Sequence, residues 1–114
     1  MSDLERGQVV WALFDPAYGH EQSGRRPAIV VSSRRYLAAV RSLVMLVPVT
    51  TVDKGYASHV ELDGPTGLKP QSFAMTEQVK AMDRRRVRRV VGRVDGVTMA
   101  RIDMWLADHL ALAE

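Results

Sequence analysis

Short apolar clusters rich in valine, isoleucine and leucine recur along the chain, separated by turn-forming residues. Stretches 9–14, 28–31 and 43–49 read as strands, and three shorter ones, 58–62, 72–75 and 90–94, join them. Most are continuous apolar runs, which predicts strands buried on both faces of a small closed sheet. Turn chemistry lies between them at Asp15-Pro16, Ser23-Gly24, Asp53-Lys54-Gly55, Asp63-Gly64-Pro65 and Thr66-Gly67. Three segments have helical character. Residues 34–41 carry Leu37, Ala38 and Ala39 without a breaker, and 83–88 suffices for a single turn. Residues 97–113 contain no glycine or proline, and Ile102, Trp105, Leu106 and Leu110 recur at helical spacing, with Asp95 as the expected N-cap. Trp105 and Ile102 are expected in the core or in a subunit interface. The pattern predicts a mainly β fold with helices: one domain over residues 1–114, an antiparallel barrel with a C-terminal helix packed against it.

Composition narrows the function. The 114 residues are 46% hydrophobic and 25% charged, which is ordinary globular usage. With no cysteine there is no disulfide framework, thiolate metal site or cysteine nucleophile. His20, His59 and His109 show no metal-ligand spacing, so neither a metal nor a cofactor is expected. The N-terminal sequence lacks a signal-peptide pattern, and no apolar stretch approaches the ~18 residues that span a bilayer. A soluble cytoplasmic protein without a membrane partner is the expectation. Sixteen Lys+Arg against 13 Asp+Glu give a net charge of +3, compatible with a polyanionic partner but too mild to establish one.

Chemistry-bearing residues gather in four segments. The connection 15–27 is long for a hairpin and concentrates Tyr18, His20, Glu21, Gln22, Ser23, Arg25 and Arg26 on a glycine-punctuated arm. Pro27 biases Arg26 towards extended geometry at a loop–strand junction, where a planar, permanently charged fork suits a phosphate. An ordinary surface arginine fits the same pattern. In PVTTVDKGY, at 48–56, Thr50 and Thr51 end the third strand and Lys54 and Tyr56 follow. Hydroxyls, a lysine and an aromatic ring can bind a phosphate and stack a base; paired threonines also serve simply as β-formers that satisfy local backbone. Glu77-Gln78 offers acceptors and an amide for reading a base edge. Arg84, Arg85, Arg86, Arg88, Arg89 and Arg93 form a run that either tracks a nucleic-acid backbone or is a solvated face.

Taken in order, these segments resemble the MazF/PemK/Kid toxin family over residues 7–110. The strongest block is RGQVVW followed by DPAYGHEQSGRRPAIVVS, spanning 6–32. It carries the family's Gly-led strand, Asp-Pro, Gly, Glu-Gln, Gly, Arg-Pro and an apolar strand closing on Ser. PVTT at 48–51, KGY at 54–56, VEL at 60–62, EQVKAMD at 77–83, VVGRV at 90–94 and the closing helix follow in register.

The resemblance implies an SH3-like small β-barrel of the CcdB/MazF type and a homodimer with single-stranded RNA lying along its interface. It implies a sequence-specific, metal-independent endoribonuclease in which the RNA 2′-hydroxyl attacks the adjacent phosphate. The products are a 2′,3′-cyclic phosphate and a 5′-hydroxyl. Arg26 and Thr50 take the catalytic positions. His20, Glu21, Gln22, Ser23, Arg25, Thr51, Lys54, Tyr56, Glu77 and Gln78 fall where RNA is bound. A cognate antitoxin with a flexible acidic and apolar tail is the implied protein partner. Two residues depart from the pattern: His20 stands where many members carry Ser, as either an acid–base group or an altered base contact, and Leu13 replaces a common acidic residue. The same fold also includes non-catalytic gyrase poisons of the CcdB branch, but this chain lacks their Trp-Gly-Ile tail. A nucleic-acid-binding module without cleavage is the other alternative.

Overall fold

A computed structural model describes residues 3–14 and 24–112. Seven strands and two helices follow in chain order: β1 (Gln8–Leu13), β2 (Arg25–Val30), α1 (Arg34–Ala39), β3 (Leu43–Thr50), β4 (His59–Glu61), β5 (Phe73–Met75), β6 (Lys80–Asp83), β7 (Val87–Arg93) and α2 (Gly96–His109). Single 3-10 turns at Thr76–Gln78 and Arg84–Arg86 flank β6. The sheet is antiparallel in the order β4-β5-β3-β2-β1-β7, and β6 also pairs with β3.

The continuous apolar runs have a definite cause. Val10, Ala12, Ala28, Val30, Val44 and Leu46 turn to one face, where Leu37 of α1, Leu4, Met82 and Val87 cover them. Their neighbours Val9, Ile29, Val47 and Val49 turn to the other, against Ile102 of α2. Both parities of β1, β2 and β3 are therefore buried, and each fully buried Val, Leu or Ile contributes about 1.5–3 kcal/mol. Asp95 caps α2 as expected, its carboxylate accepting from the Thr98 amide at 2.8 Å. That bond holds the Asp95 carboxyl below its ordinary value. Ser33 caps α1 in the same way through Tyr36.

The expected closed barrel is open: among the described strands no ladder joins β4 to β7. A loop fills the gap instead. Arg93 donates its amide to the Pro65 carbonyl at 3.0 Å, and Asp95 to Asp63 at 2.9 Å. Gly92 permits the approach, because a Cβ there would lie 2.3 Å from the Pro65 carbonyl oxygen.

Strand β6 was not expected. β5 and β6 share one edge of β3, with Thr50↔Phe73 and Val49↔Ala74 at one end and Leu46↔Lys80 to Leu43↔Asp83 at the other. The register between the two ladders shifts by three residues, the length of the intervening turn at Thr76–Gln78. Pro48 lies at that height in β3 and has no N–H to give a neighbouring strand.

Candidate active site and nucleic-acid interface

Arg26 sits at the loop–strand junction expected for it, as the second residue of β2, opposite Ala12 of β1. The next residue, Pro27, lacks a donor, and the β2–β3 pairs begin one residue later at Ala28↔Pro48. Continued two residues outward, the register Val30↔Leu46, Ala28↔Pro48 sets Arg26 across from Thr50. Facing Cβ atoms in a regular antiparallel pair are about 5 Å apart. The β2–β3 ladder stops two residues short of both, while Arg26 stays paired with β1 and Thr50 with Phe73 of β5. Arg26 is exposed and has no hydrogen bond or ion pair with any described residue. Thr50 is half-buried, and its Oγ1 accepts from the Val52 amide at 3.1 Å, which fixes the rotamer and leaves its O–H to donate elsewhere.

Lys80 joins this face. It pairs with Leu46, so it shares the side of the sheet occupied by Pro48 and Thr50, and its Nζ lies 5.7 Å from the centre of the Phe14 ring. Phe14 follows Ala12 by two positions and faces the same way. Sequence reasoning did not single out Lys80, because the short β6 segment KAMD is half polar and only Met82 is buried in it. The matching cue was the EQVKAMD block that contains it.

Beyond Thr50 the chain leaves the sheet. Thr51, Lys54 and Tyr56 are all exposed on this segment. Asp53 accepts from the Gly55 amide at 2.9 Å, and Gly55 adopts φ 75°, a left-handed turn that glycine tolerates. Tyr56 ends the segment with its ring edge-on to His59, 5.0 Å between centroids. The structure therefore places Arg26, Thr50, Thr51, Lys54 and Tyr56 towards one end of the sheet, with Lys80 on the same face four residues back along β3.

Other expected residues are placed differently. Arg25 is exposed but alternates to the face opposite Arg26, across from Leu13. Glu77 is drawn away to β4: its carboxylate accepts from Ser58 Oγ at 3.1 Å and lies 2.9 Å from His59 Nε2. Burial alone would raise the Glu77 pKa, but the bonds from His59 and Ser58 outweigh it and hold the carboxyl below its ordinary value. Beneath it Thr76 is fully buried, its hydroxyl donating to the Ser58 carbonyl at 2.6 Å and lying 2.9 Å from His109 Nε2. This network of distant residues fixes the turn that presents Gln78, an exposed residue whose amide donates to the Met75 sulfur. His20, Glu21, Gln22, Ser23 and Tyr18 lie outside the described residues.

The arginine run divides. Arg84 donates to the carbonyls of Leu37, Val40 and Leu43, tying α1 to β3. Arg86 donates to the carbonyls of Leu13 and Phe14. Arg85 pairs with Asp83 and lowers that carboxyl to about 2. Only Arg88 and Arg89 are exposed without a partner among the described residues.

Comparison with known proteins identifies the family. A family model for the PemK-like, MazF-like toxin of type II toxin–antitoxin systems matches residues 5–110. The chain is 36% identical over 115 residues to endoribonuclease MazF9 of Mycobacterium tuberculosis, covering 96% of this chain and 98% of that protein. It is 37% identical over 78 residues to the endoribonuclease toxin MazF of Escherichia coli, covering 68% of this chain and 67% of that one. The crystal structure of MazE–MazF (form II) from Deinococcus radiodurans superposes with a TM-score of 0.82 at 29% identity, covering 99% of this chain and 100% of that one. Matched in sequence and fold over nearly its whole length, the chain belongs to the PemK-like, MazF-like toxin family of type II toxin–antitoxin systems.

Proposed function

We propose that this chain is an endoribonuclease toxin that cuts single-stranded RNA, mRNA above all, at short sequences, acting as a cytoplasmic homodimer held in check by a cognate antitoxin. One observation carries the catalytic assignment. Arg26 is an exposed guanidinium without a partner among the described residues, mounted on β2 two residues beyond its last pair with β3, where the continued register faces Thr50. Relatives named endoribonucleases support the reaction class, and the solved MazE–MazF complex supports the antitoxin.

The chemistry asks little of the protein. The RNA 2′-oxygen forms a bond to the adjacent phosphorus as its proton leaves. The P–O5′ bond breaks, and the departing oxygen takes up a proton to become a 5′-hydroxyl. The other product is a 2′,3′-cyclic phosphate, and no water enters this step. Charge grows on the non-bridging oxygens at the pentacoordinate stage, and Arg26 is positioned to stabilise it; a fixed donor of this kind contributes about 10²–10³ in rate. Thr50 orients the phosphate or the attacking hydroxyl. Lys80 adds positive charge on the same face. Thr51, Lys54, Tyr56 and Gln78 contact flanking nucleotides, with Tyr56 available to stack a base. Arg25 serves a neighbouring stretch of backbone from the other face.

Incubating the purified protein with a long RNA and mapping the new ends tests this. Cleavage at a recurring short sequence, leaving 5′-hydroxyl ends, is expected. A single 2′-deoxy substitution at the cut position abolishes it. Cleavage that survives this substitution would refute the substrate-supplied nucleophile.

A further inference from the structure

At the other end of the sheet a pocket of about 570 Å³ opens between the N-terminal segment and α1. Five guanidinium groups line it, those of Arg6, Arg34, Arg41, Arg84 and Arg93. Arg93 pairs with Gln8 and Arg26 with Ala12, so the pocket lies about 13 Å along β1 from the cleavage site.

Compensation of these charges is uneven. Arg6 is ion-paired with Asp103. Arg84 is half-buried and held by neutral carbonyls, with no ion pair among the described residues. Arg34 has no hydrogen bond or ion pair with a described residue. The two acids of the rim, Asp3 and Glu5, reach Arg41 and Arg93 at 3.6 Å each, beyond a charge-assisted hydrogen bond. In the Arg41–Asp3 pair the side chains are 68% and 85% exposed. Such pairs are weak and open to exchange with a better anion. Leu4, between the two acids, is anchored in the core and keeps the rim in place.

We propose that this pocket is an exosite for phosphate groups. It holds consecutive phosphates of the RNA strand cut at the other end of the sheet, with the ligand displacing Asp3 and Glu5 from Arg41 and Arg93. The RNA source rests on the ribonuclease reading above; the phosphate chemistry does not. Arginine forks bind phosphate oxygens bidentately, and the volume is that of an ordinary small-ligand site.

The test compares the wild-type protein with the double variant Arg34→Ala/Arg41→Ala, two exposed positions outside the catalytic end. The probes are a ~20-nucleotide 2′-O-methyl RNA, which lacks the attacking hydroxyl and stays intact, and inorganic pyrophosphate as free phosphate. At about 0.15 M salt the variant binds the RNA about tenfold more weakly. The slope of log affinity against log salt falls by about 1.4, or ~0.7 for each phosphate that the variant no longer neutralises. Both proteins cut a short RNA spanning one site at the same rate. If the RNA slope is unchanged but pyrophosphate binding drops fivefold or more, the site stands with free phosphate as its ligand. If neither probe distinguishes the two proteins, the exosite is refuted. Short-RNA cleavage by the wild type is read separately, so failure of the ribonuclease reading is visible on its own.

Discussion

Arg26 and Arg84 are the same residue in opposite circumstances. Arg84 gives its N–H groups to three backbone carbonyls from α1, the following connection and β3, and its position is dictated by what it satisfies. Arg26 projects from a strand that holds its backbone while no described residue holds its side chain. The first spends its hydrogen-bonding capacity on the fold, and the second keeps it for a ligand. Counting arginines in a sequence does not separate these roles; counting the acceptors that each one finds does.

Exchanging the two residues for alanine sharpens the contrast most. Arg26→Ala lowers the cleavage rate about 10²–10³-fold, or more if the arginine also moves a proton, and leaves the melting temperature within about 1 °C. Arg84→Ala does the reverse. It strands partly buried carbonyls and costs about 3 kcal/mol of stability, read by denaturant unfolding, while the folded fraction cleaves a short single-site RNA at the normal rate. Loss of cleavage in a fully stable Arg84→Ala protein would place that residue at the reaction and undo the distinction.

Gly92→Ala probes the fold side of the comparison from a different direction. The added methyl cannot fit between β7 and the Pro65 carbonyl, so the loop that fills the open side of the sheet must move. A loss of about 3 kcal/mol is expected, with the folded protein still active because the Arg26 end is untouched. Unchanged stability would mean that the gap between β4 and β7 is not held by that loop.

The paired strands β1, β2 and β3, the long terminal helix and the Asp95 cap could be read from the sequence, because apolar runs and capping chemistry are local signals. Arg26 and Thr50 were visible through Pro27, the strand end and the family blocks. Four features were not. β6 escaped because its short segment buries only Met82 and its pairing with β3 spans some forty residues. The captured state of Glu77 depends on Ser58 and His59, which lie 19 and 18 positions away. The division of the arginine run depends on which carbonyls the fold leaves unsatisfied, and no pattern along the chain encodes that. The open sheet follows from loop 63–67, whose turn residues were clear but whose docking against Gly92 was not.

Lys80 stands between the two arginine types, sharing the face of Arg26 and lying over the Phe14 ring. Lys80→Ala is expected to raise KM about fivefold to tenfold with a smaller change in kcat, and to flatten the salt dependence of kcat/KM by the equivalent of about one phosphate. An unchanged salt dependence would confine Lys80 to packing against Phe14.

Glu77 supplies the finest test, because it was expected to touch RNA and is found bonded to Ser58 and His59. Its folded pKa lies below the usual carboxylate value of 4.5, so the charged form is the one the fold favours. A depressed carboxyl contributes stability that is complete above the unfolded value and is lost as pH falls through the folded one. Wild type therefore exceeds Glu77→Gln in stability at neutral pH, and the gap closes below about pH 4.5. The carboxylate is 37% exposed, so solvent screening keeps the gap below about 1 kcal/mol. Thr76 still anchors the turn through Ser58 and His109, so cleavage by Glu77→Gln should fall less than about threefold. A hundredfold loss of cleavage with an unaltered acid limb would return Glu77 to the RNA and leave the turn held by Thr76 alone.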